Sequence, residues 1–421
     1  MNAIESILNS VALPQFYKAK QLFDRPQITN VQTELSKEID AVGTLARVTA
    51  GQRIAVAVGC PGIANLPEMV KVIISKLRAV GAEPFIVPAM GSLEKTSAQE
   101  QQRILESLGI TENVIGAPIC STMETVLVGV SPKGVPVFID RHAYEADGIV
   151  LINRIKPHSG FCGNVESGLM KLLTIGLGKQ TSAAMCHCYG SLCMSESIAE
   201  LASFVIQATN FLFGVAVIEN AYYETAQIKV LTGQRLYLEE AQLEQDAQAL
   251  LPKLYFPEID VLVIDEIGQD SSGSVSDTTV IGRNMASFDA AGLHVGRKVV
   301  LDITKSSAGN RFGLASADYT TRRAFGKFKY NNTYPKALPT GSTAGVKIPL
   351  VLPNDKLAIQ AAIKDSRVAV EKIRLVRVKS TFALEQIYLS TALYQEVGAD
   401  SRFEIDSQPA TFDFDRNGNL F

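Results

Sequence analysis

The sequence predicts an α/β protein of two domains, with an active site in the cleft between them. Its 421 residues exceed what a single hydrophobic core usually organises. Short apolar strands alternate with amphipathic helices from residue 53 onward, and a second series of this kind begins at residue 260. We therefore predict an N-terminal α/β domain over residues 1–252 and a C-terminal α/β domain over residues 253–421.

The N-terminal half begins with an extension of about fifty residues that carries one helix, at residues 31–49. A strand at 53–58, a helix at 66–80 and a strand at 84–88 follow. This order implies a right-handed crossover, so the sheet is predicted to be parallel. The other elements predicted here are a helix at 97–107, strands at 125–130, 135–139 and 148–152, a helix at 196–209, strands at 214–218 and 227–231, and a helix at 238–251.

The C-terminal half repeats the alternation of strands and helices. Residues 260–265 are strongly apolar and predict a buried strand. The further elements predicted in this half are strands at 298–302 and 373–378 and helices at 319–325 and 357–364.

The composition is that of a packed globular protein. Hydrophobic residues make up 47% of the chain and charged residues 20%, which is unlike a disordered segment. The formal net charge is −3 and no Lys/Arg-rich run is present, so we expect no nucleic-acid partner. The expected partner is a small-molecule substrate, and the sequence is compatible with a homo-oligomer.

The sequence favours a cytoplasmic location. The N-terminus lacks the basic and apolar regions of a signal peptide. No apolar stretch is long enough to span a bilayer, so we expect no membrane partner. The six cysteines form no spaced disulfide framework, as is usual in a reducing compartment.

The residues suited to catalysis or metal binding concentrate between Lys156 and Cys193. These 38 residues hold two of the four histidines and four of the six cysteines. They follow the apolar strand predicted at 148–152, and ligand sites in open α/β sheets lie beyond the carboxyl ends of strands. The segment is therefore predicted to form the active site.

His158 is the first candidate within this segment, at the end of a Lys-Pro-His run. A neutral imidazole in this place can act as a general base or acid near pH 7. The alternative is a histidine whose nitrogens are satisfied by loop backbone groups. The residues alone leave both interpretations open.

A glycine-rich loop at residues 160–168 follows, with Gly160, Gly163 and Gly168. A loop of this kind that enters a helix leaves backbone N–H groups that can bind a phosphate or carboxylate. Its spacing matches neither the dinucleotide fingerprint nor the P-loop. A tight turn without a ligand is the alternative.

Two lysines lie in or beside the apolar stretch behind the loop. Lys171 stands among apolar residues, so its amine either extends to the surface or is held near an anion or an electrophile. The residues alone favour the first of these. Lys179, which follows Gly178, is predicted to be solvated at a helix C-terminus.

Cys186, His187 and Cys188 could supply soft ligands to a transition metal. Adjacent side chains on a regular element diverge, so a single imidazole ligand from His187 is the simpler prediction. The spacing also differs from that of structural zinc sites. We expect Cys186, Cys188 and Cys193 to be ordinary buried cysteines.

Several motifs resemble those of the nickel-pincer lactate racemase family, in particular its poorly characterised branch. The similarity extends from about Gly51 to the C-terminus, where residues 375–392 and 413–420 contribute. The motifs are residues 89–92 (Ala-Met-Gly-Ser), 140–143 (Asp-Arg-His-Ala), 153–158 (Asn-Arg-Ile-Lys-Pro-His) and 176–179 (Gly-Leu-Gly-Lys).

The resemblance implies a cofactor and roles for three residues. The family's cofactor is a pyridinium mononucleotide that holds nickel in a sulfur-carbon-sulfur pincer, and its reaction moves a hydride from the carbon that bears the substrate hydroxyl. By motif, His158 corresponds to an acid/base histidine and Lys171 to the lysine that holds the cofactor. His187 corresponds to the nickel ligand, and its distance of sixteen residues from Lys171 agrees with the family pattern.

The chain also departs from the family pattern where the substrate is handled. The second acid/base histidine would fall at Leu93, and Glu94 or Lys95 could replace it. The substrate-binding arginine would fall at residues 60–62, which are Cys-Pro-Gly, and Gln269 stands where lysine is expected. A leucine cannot move a proton, and without the arginine no bidentate carboxylate clamp forms there.

Two functions from different classes follow. The first is a racemase or epimerase of a 2-hydroxy acid or a related hydroxy compound, with the nickel-pincer nucleotide as cofactor. The second is a non-catalytic homologue that binds the cofactor or a hydroxy acid. A nicotinamide-dependent oxidoreductase is disfavoured because residues 59–62 lack the dinucleotide glycine spacing.

Overall fold

The computed structural model describes residues 3–59, 62–90, 97–158, 160–188, 190, 193–233, 235–268, 281–282, 292–307, 313–340 and 343–421. These residues form a sheet of eight strands, a sheet of five and a two-stranded ribbon, with helices packed against them. The α/β class predicted from the sequence is confirmed. Within this described part, no helix is both long and apolar enough to cross a membrane.

The strands and helices are numbered along the chain. The strands are β1 (Phe16–Gln21), β2 (Arg53–Val58), β3 (Glu83–Pro88), β4 (Thr125–Val130), β5 (Pro136–Asp140), β6 (Gly148–Arg154), β7 (Phe211–Glu219), β8 (Thr225–Leu231), β9 (Glu258–Ile267), β10 (His294–Ile303), β11 (Tyr319–Thr321), β12 (Leu350–Leu352), β13 (Leu375–Ser380), β14 (Ala383–Ser390) and β15 (Phe403–Ala410). The helices are α1 (Ala3–Leu8), α2 (Val31–Val42), α3 (Leu66–Ala79), α4 (Ala98–Ser107), α5 (Glu112–Ile115), α6 (Arg141–Tyr144), α7 (Leu169–Lys171), α8 (Lys179–Cys188), α9 (Met194–Ala208), α10 (Leu236–Leu250), α11 (Arg322–Gly326), α12 (Tyr330–Thr340), α13 (Asp355–Ser366) and α14 (Thr391–Val397).

The five-stranded sheet has the order β3-β2-β6-β7-β8. Its first four strands are parallel, as predicted, and β8 pairs antiparallel with β7. β6 is buried along its whole length because helices cover both faces of the sheet. Val58 of β2 lies opposite Ile152 of β6, so the carboxyl ends of these two strands are side by side.

Two hydrophobic clusters cover the faces of this sheet, because successive residues of a strand point to opposite sides. One contains Leu151 of β6 with apolar residues of α7 and α9. The other contains Ile152 of β6 with apolar residues of α2 and α3. The segment predicted to form the active site therefore packs on the first face.

The eight-stranded sheet has the order β12-β11-β10-β9-β13-β14-β1-β15. The strands from β12 to β13 are parallel, and β14, β1 and β15 complete the sheet by antiparallel pairing. β1 comes from the segment that the sequence assigns to the N-terminal domain. It pairs on both sides with strands of the C-terminal half. The boundary between residues 252 and 253 remains a prediction, as does the cleft between the domains.

The helix predicted at 319–325 is a strand over its first three residues. This strand is β11, whose backbone pairs with Val299 and Val300 of β10. Tyr319, Thr320 and Thr321 are aromatic and β-branched residues that favour strands. The helix α11 begins only at Arg322, after Thr321 caps it by accepting the N–H of Ala324.

Candidate functional site

The candidate site begins where β6 ends at Arg154. The chain leaves the sheet and returns, and the backbone N–H of Lys156 donates to the carbonyl of Ser167 at 2.9 Å. This bridge closes the site loop, which comprises residues 157–166. The loop leads directly into α7, which carries Lys171.

Glu166 organises the site loop from within. Its carboxyl accepts the N–H of His158 at 2.5 Å and the N–H of Gly163 at 2.9 Å. The side chain is buried, and burial raises the pKa of the Glu166 carboxyl, although both hydrogen bonds and the charge of Lys171 act in the opposite direction. Glu166 thus fixes the backbone on which His158 is mounted.

His158 and Lys171 contact the same aromatic ring. The His158 imidazole stacks on Phe161 with 4.2 Å between ring centroids. The Lys171 amine lies 5.8 Å from the centroid of Phe161 and 3.5 Å from the Ser167 hydroxyl. Both side chains are half-buried. The structure therefore brings two of the predicted site residues together, thirteen residues apart in the chain.

The His158 ring has a defined hydrogen-bond partner. The N–H of Gly160 donates to His158 Nδ1 at 3.0 Å. Because Nδ1 accepts, a neutral imidazole in this conformation carries its proton on Nε2. For Nε2 to accept a proton, the ring must carry its own proton on Nδ1 instead. Nδ1 could then no longer accept the N–H of Gly160, so this contact must open before His158 acts as a base.

Close packing restricts the three glycines of residues 160–168. A Cβ on Gly163 would lie 2.2 Å from Ser195, and one on Gly168 would lie 2.4 Å from Glu240. A Cβ on Gly160 would lie 3.2 Å from the His158 ring. The N–H groups of Gly160 and Gly163 already donate within the loop. Binding of the cofactor by these glycines remains a prediction.

Two buried glutamates of α10 complete the support of the loop. Glu240 accepts the N–H groups of Leu169 at 2.9 Å and Met170 at 3.1 Å, so a protein carboxyl already occupies the start of α7. Burial raises the pKa of Glu240 to about 8 and that of Glu244 to about 9. At Glu244 the charges of Glu166 and Glu240 add to this shift of the pKa, whereas the charge of Lys171 and the backbone of Ser167 oppose it.

The sequence analysis missed both glutamates, although a signal was present. Glu240 and Glu244 recur at the helical spacing of Leu236, Leu243 and Ala247, which are the buried apolar residues of α10. Charged residues on the apolar face of a helix are exceptional and mark a buried polar site.

The prediction for Lys179 is wrong. Its side chain is only 1% exposed, and its amine lies 3.0 Å from the Asp140 carboxylate and also donates to the carbonyl of Pro88. Lys179 begins α8 in a left-handed conformation, with φ of 52°, which ends the preceding helix and turns the side chain inward. Burial lowers the pKa of Lys179, and Asp140 opposes that shift.

The thiol and imidazole run lies at the end of α8. Cys186 is buried, as predicted, and burial raises the pKa of its thiol to about 11. Cys193 is exposed, so the prediction that it is buried is wrong; it lies just before α9 rather than within a helix face. The side chains of His187 and Cys188 lie outside what the structure describes. The role of His187 as a metal ligand therefore remains a prediction.

Residues 7–199 match the lactate racemase N-terminal domain. This part of the chain belongs to the lactate racemase family. The family resemblance predicted from the motifs is confirmed, and His158, Lys171 and His187 all lie within the matched residues. A solved structure, the lactate racemase apoprotein from Thermoanaerobacterium thermosaccharolyticum, shares 16% identity over 68% of this chain and 73% of its own, with a TM-score of 0.44. No curated protein matches the chain significantly.

Several positions that distinguish this chain from the family pattern lie outside the described residues. They are Cys60, Leu93, Glu94, Lys95 and Gln269. Gly62, at the end of the Cys-Pro-Gly run, is described, and its carbonyl accepts a hydrogen bond from Arg154.

The residues around Phe161 fit part of the cofactor that the family implies. Lys171 presents a half-buried amine beside an aromatic ring, where it can hold an electrophilic group. Among the described residues, no group of three or more His, Cys, Asp or Glu side chains could hold a metal ion. A pincer supplies its own sulfur and carbon ligands, so one protein imidazole would suffice.

Proposed function

We propose that this chain is a racemase or epimerase of a 2-hydroxy acid or a related hydroxy compound. The observation that carries the proposal is the shared contact of His158 and Lys171 with Phe161, inside the region that matches the lactate racemase family. A proton-transferring group and an amine anchor thus lie in one loop, at the carboxyl end of a central parallel strand.

In this proposal each residue has a separate task. Lys171 holds the cofactor, and His187 completes the coordination of nickel. His158 takes the proton of the substrate hydroxyl and returns it, after its contact with Gly160 opens. Glu166 keeps His158 in place through the backbone. When bound, a nickel-pincer nucleotide supplies the hydride chemistry that side chains lack.

Phe161 gives the proposal its geometry. The imidazole stacks on its ring and the amine lies near the same ring, so a planar group bound beside Phe161 would lie close to both side chains. The charge of Lys171 also acts on buried groups nearby. Burial raises the pKa of the Glu166 and Glu244 carboxyls and of the Cys186 thiol, and this charge lowers it. A cytoplasmic location belongs to the same proposal.

Mass spectrometry with metal analysis tests the cofactor assignment. The protein is produced together with the enzymes that synthesise the nickel-pincer nucleotide. We expect nickel in the purified protein and a mass adduct that maps to Lys171. Protein that carries neither nickel nor an adduct contradicts the assignment.

The second candidate function is a non-catalytic homologue that binds the cofactor or a hydroxy acid. The observation that favours it is Leu93, which cannot move a proton, together with Cys-Pro-Gly at residues 60–62, which offers no arginine to clamp a carboxylate. Nickel-loaded protein that fails to turn over lactate, malate and sugar acids supports this second function.

A further inference from the structure

The chain changes direction between α7 and α8, at residues 177–179, which we call the α7–α8 turn. A π-helical segment, Leu172–Gly176, follows α7, and α8 begins at Lys179. In an unbroken helix the sixteen residues from Lys171 to His187 would span about 24 Å along the axis, too far for both side chains to reach one cofactor ring. The proposed roles of these two residues therefore need the chain to turn back here.

The chain does return to the site loop after the α7–α8 turn. Ser195, at the start of α9, donates to the carbonyl of Val165 in that loop at 2.8 Å. Only residues 189–194 separate Ser195 from the end of α8, and α9 packs against both α7 and α8. Burial raises the pKa of the Cys186 thiol, and the charge of Lys171 opposes that shift across the same space. The end of α8 thus lies near Lys171.

A buried ion pair fastens the α7–α8 turn to the ends of two strands. The Lys179 amine lies 3.0 Å from the Asp140 carboxylate at the end of β5 and donates to the carbonyl of Pro88 at the end of β3. The two charged side chains are only 1% and 0% exposed. The N–H of Asp140 also donates to the carbonyl of Leu177 at 2.7 Å. The turn is therefore held through a side chain and through the backbone.

The backbone of Lys179 explains why the turn needs this pair. Its φ of 52° lies in the left-handed region, which residues other than glycine seldom adopt. A strained conformation of this kind persists only where the surrounding contacts hold it. The ion pair with Asp140 supplies such contacts, whereas a glycine in the same place would adopt the turn without them.

We infer that Lys179 and Asp140 position α8, so that the end of α8 that carries His187 stays beside Lys171. The inference rests on the proposed function, in which Lys171 holds the cofactor and His187 completes the coordination of nickel. Lys179 is then a positioning residue that acts through α8. Residues 140–143 and 176–179, two of the motifs that resemble the family, meet at this ion pair and so share one role.

Two double variants separate the ion pair from the shape of the turn. The first, Asp140→Asn with Lys179→Met, removes both charges together, so no unpaired charge is left buried. The second, Asp140→Asn with Lys179→Gly, removes the same charges but fits the left-handed backbone. In both variants the asparagine can still cap α6, as Asp140 does. The control, Asp265→Asn with Arg377→Met, removes a largely buried pair of the eight-stranded sheet.

Hydrogen exchange on the protein without cofactor measures how firmly α8 is held. We expect the backbone N–H groups of α8 to exchange about tenfold or more faster in the first variant than in the parent, with those of α9 unchanged. The second variant should recover most of this protection, and the control should exchange like the parent. Exchange of α8 in the first variant at the parent's rate would overturn the inference, whether or not the protein binds nickel.

Nickel-loaded protein gives a second measurement with two separate readouts. The mass adduct reports on Lys171, and metal analysis reports on coordination by His187. The first variant should keep the adduct but bind nickel about tenfold or more weakly, and the second should recover most of the nickel. Loss of adduct and nickel together in the first variant would also overturn the inference, because the pair would then serve the whole fold. A parent without nickel or adduct contradicts the proposed function alone, and the exchange of α8 then decides the inference.

Discussion

Lys171 and Lys179 differ in what surrounds their amines, although both stand beside the same apolar stretch of sequence. The Lys171 amine lies beside Phe161 and the Ser167 hydroxyl at the edge of the site loop. The Lys179 amine is enclosed with the Asp140 carboxylate beneath the end of β3. In the proposed function the first binds the cofactor, whereas the second is part of a buried ion pair within the fold.

Substitution of the two lysines should therefore have opposite consequences. Lys179→Ala leaves Asp140 buried without its cation and should lower the free energy of unfolding by about 3–5 kcal/mol. Lys171→Ala should change it by less than about 1 kcal/mol but release the cofactor. Denaturant titration measures the first effect, and mass spectrometry of folded protein measures the second. Equal stability of the two variants would contradict the buried ion pair.

The residues at the end of α8 give a second test at this scale. His187→Ala should remove nickel from the loaded protein, because the family resemblance makes His187 the only protein ligand. Cys186→Ser should retain the metal, since the resemblance gives Cys186 no ligand role and its side chain is buried in the hydrophobic cluster behind the loop. Metal analysis of both variants decides the matter. Full nickel retention by His187→Ala would refute the ligand assignment.

Helix α10 is the element that supports the site loop. Glu240 accepts the first N–H groups of α7, and Glu244 stands one turn further along the same buried face. A buried carboxyl prefers its protonated form. Above the ordinary pKa of a glutamate, the folded protein therefore keeps protons on these carboxyls that the unfolded chain has released. The helix therefore makes stability depend on pH.

The sign of this dependence follows from the raised pKa values. Between about pH 4.5 and pH 9 the folded protein keeps the proton of Glu244 and the unfolded chain does not, so stability falls as the pH rises through this range. Glu244→Gln removes that contribution. Its free energy of unfolding should therefore fall less between pH 5 and pH 8 than that of the parent, by on the order of a few kcal/mol. Glu239→Gln, at a half-buried position of α10 whose carboxylate pairs with the exposed Arg235, is the matched control. Identical pH dependence in parent and Glu244→Gln would disprove this account.

At the scale of the whole molecule, the sequence predicts the alternation of strands and helices well. The parallel order around β2 and β6 follows from buried apolar runs, which need helices on both faces. β1 was missed because Phe16–Gln21 is only six residues long and carries two lysines and a glutamine, which weakens its apolar pattern. Its place between β14 and β15 depends on pairing with residues more than 350 positions away, which no local pattern encodes.

The site could be predicted in part for the same reason. His158 and Lys171 are recognisable because their motifs are local, and the structure places both side chains beside Phe161, which the sequence did not predict. Lys179 could not be placed, because its burial depends on Asp140 and Pro88, which come from other strands.

A pair of substitutions in β1 tests its position in the eight-stranded sheet. Ala19 is buried in the core of that sheet and Lys18 is exposed. Ala19→Asp should lower the free energy of unfolding by about 2–4 kcal/mol, because it buries a carboxylate without a partner. Lys18→Asp should change it by less than about 1 kcal/mol. If both variants changed the free energy of unfolding equally, β1 would lie outside the core of the sheet.

The most direct test of the proposed function measures racemisation by nickel-loaded protein. Single enantiomers of lactate and related 2-hydroxy acids are incubated with the parent and with His158→Ala, and the products are separated by chiral chromatography. The account predicts turnover by the parent and a loss of about 10²–10⁴-fold in rate for His158→Ala, with nickel content unchanged. Turnover by His158→Ala at the parent's rate, in protein of equal nickel content, would contradict it.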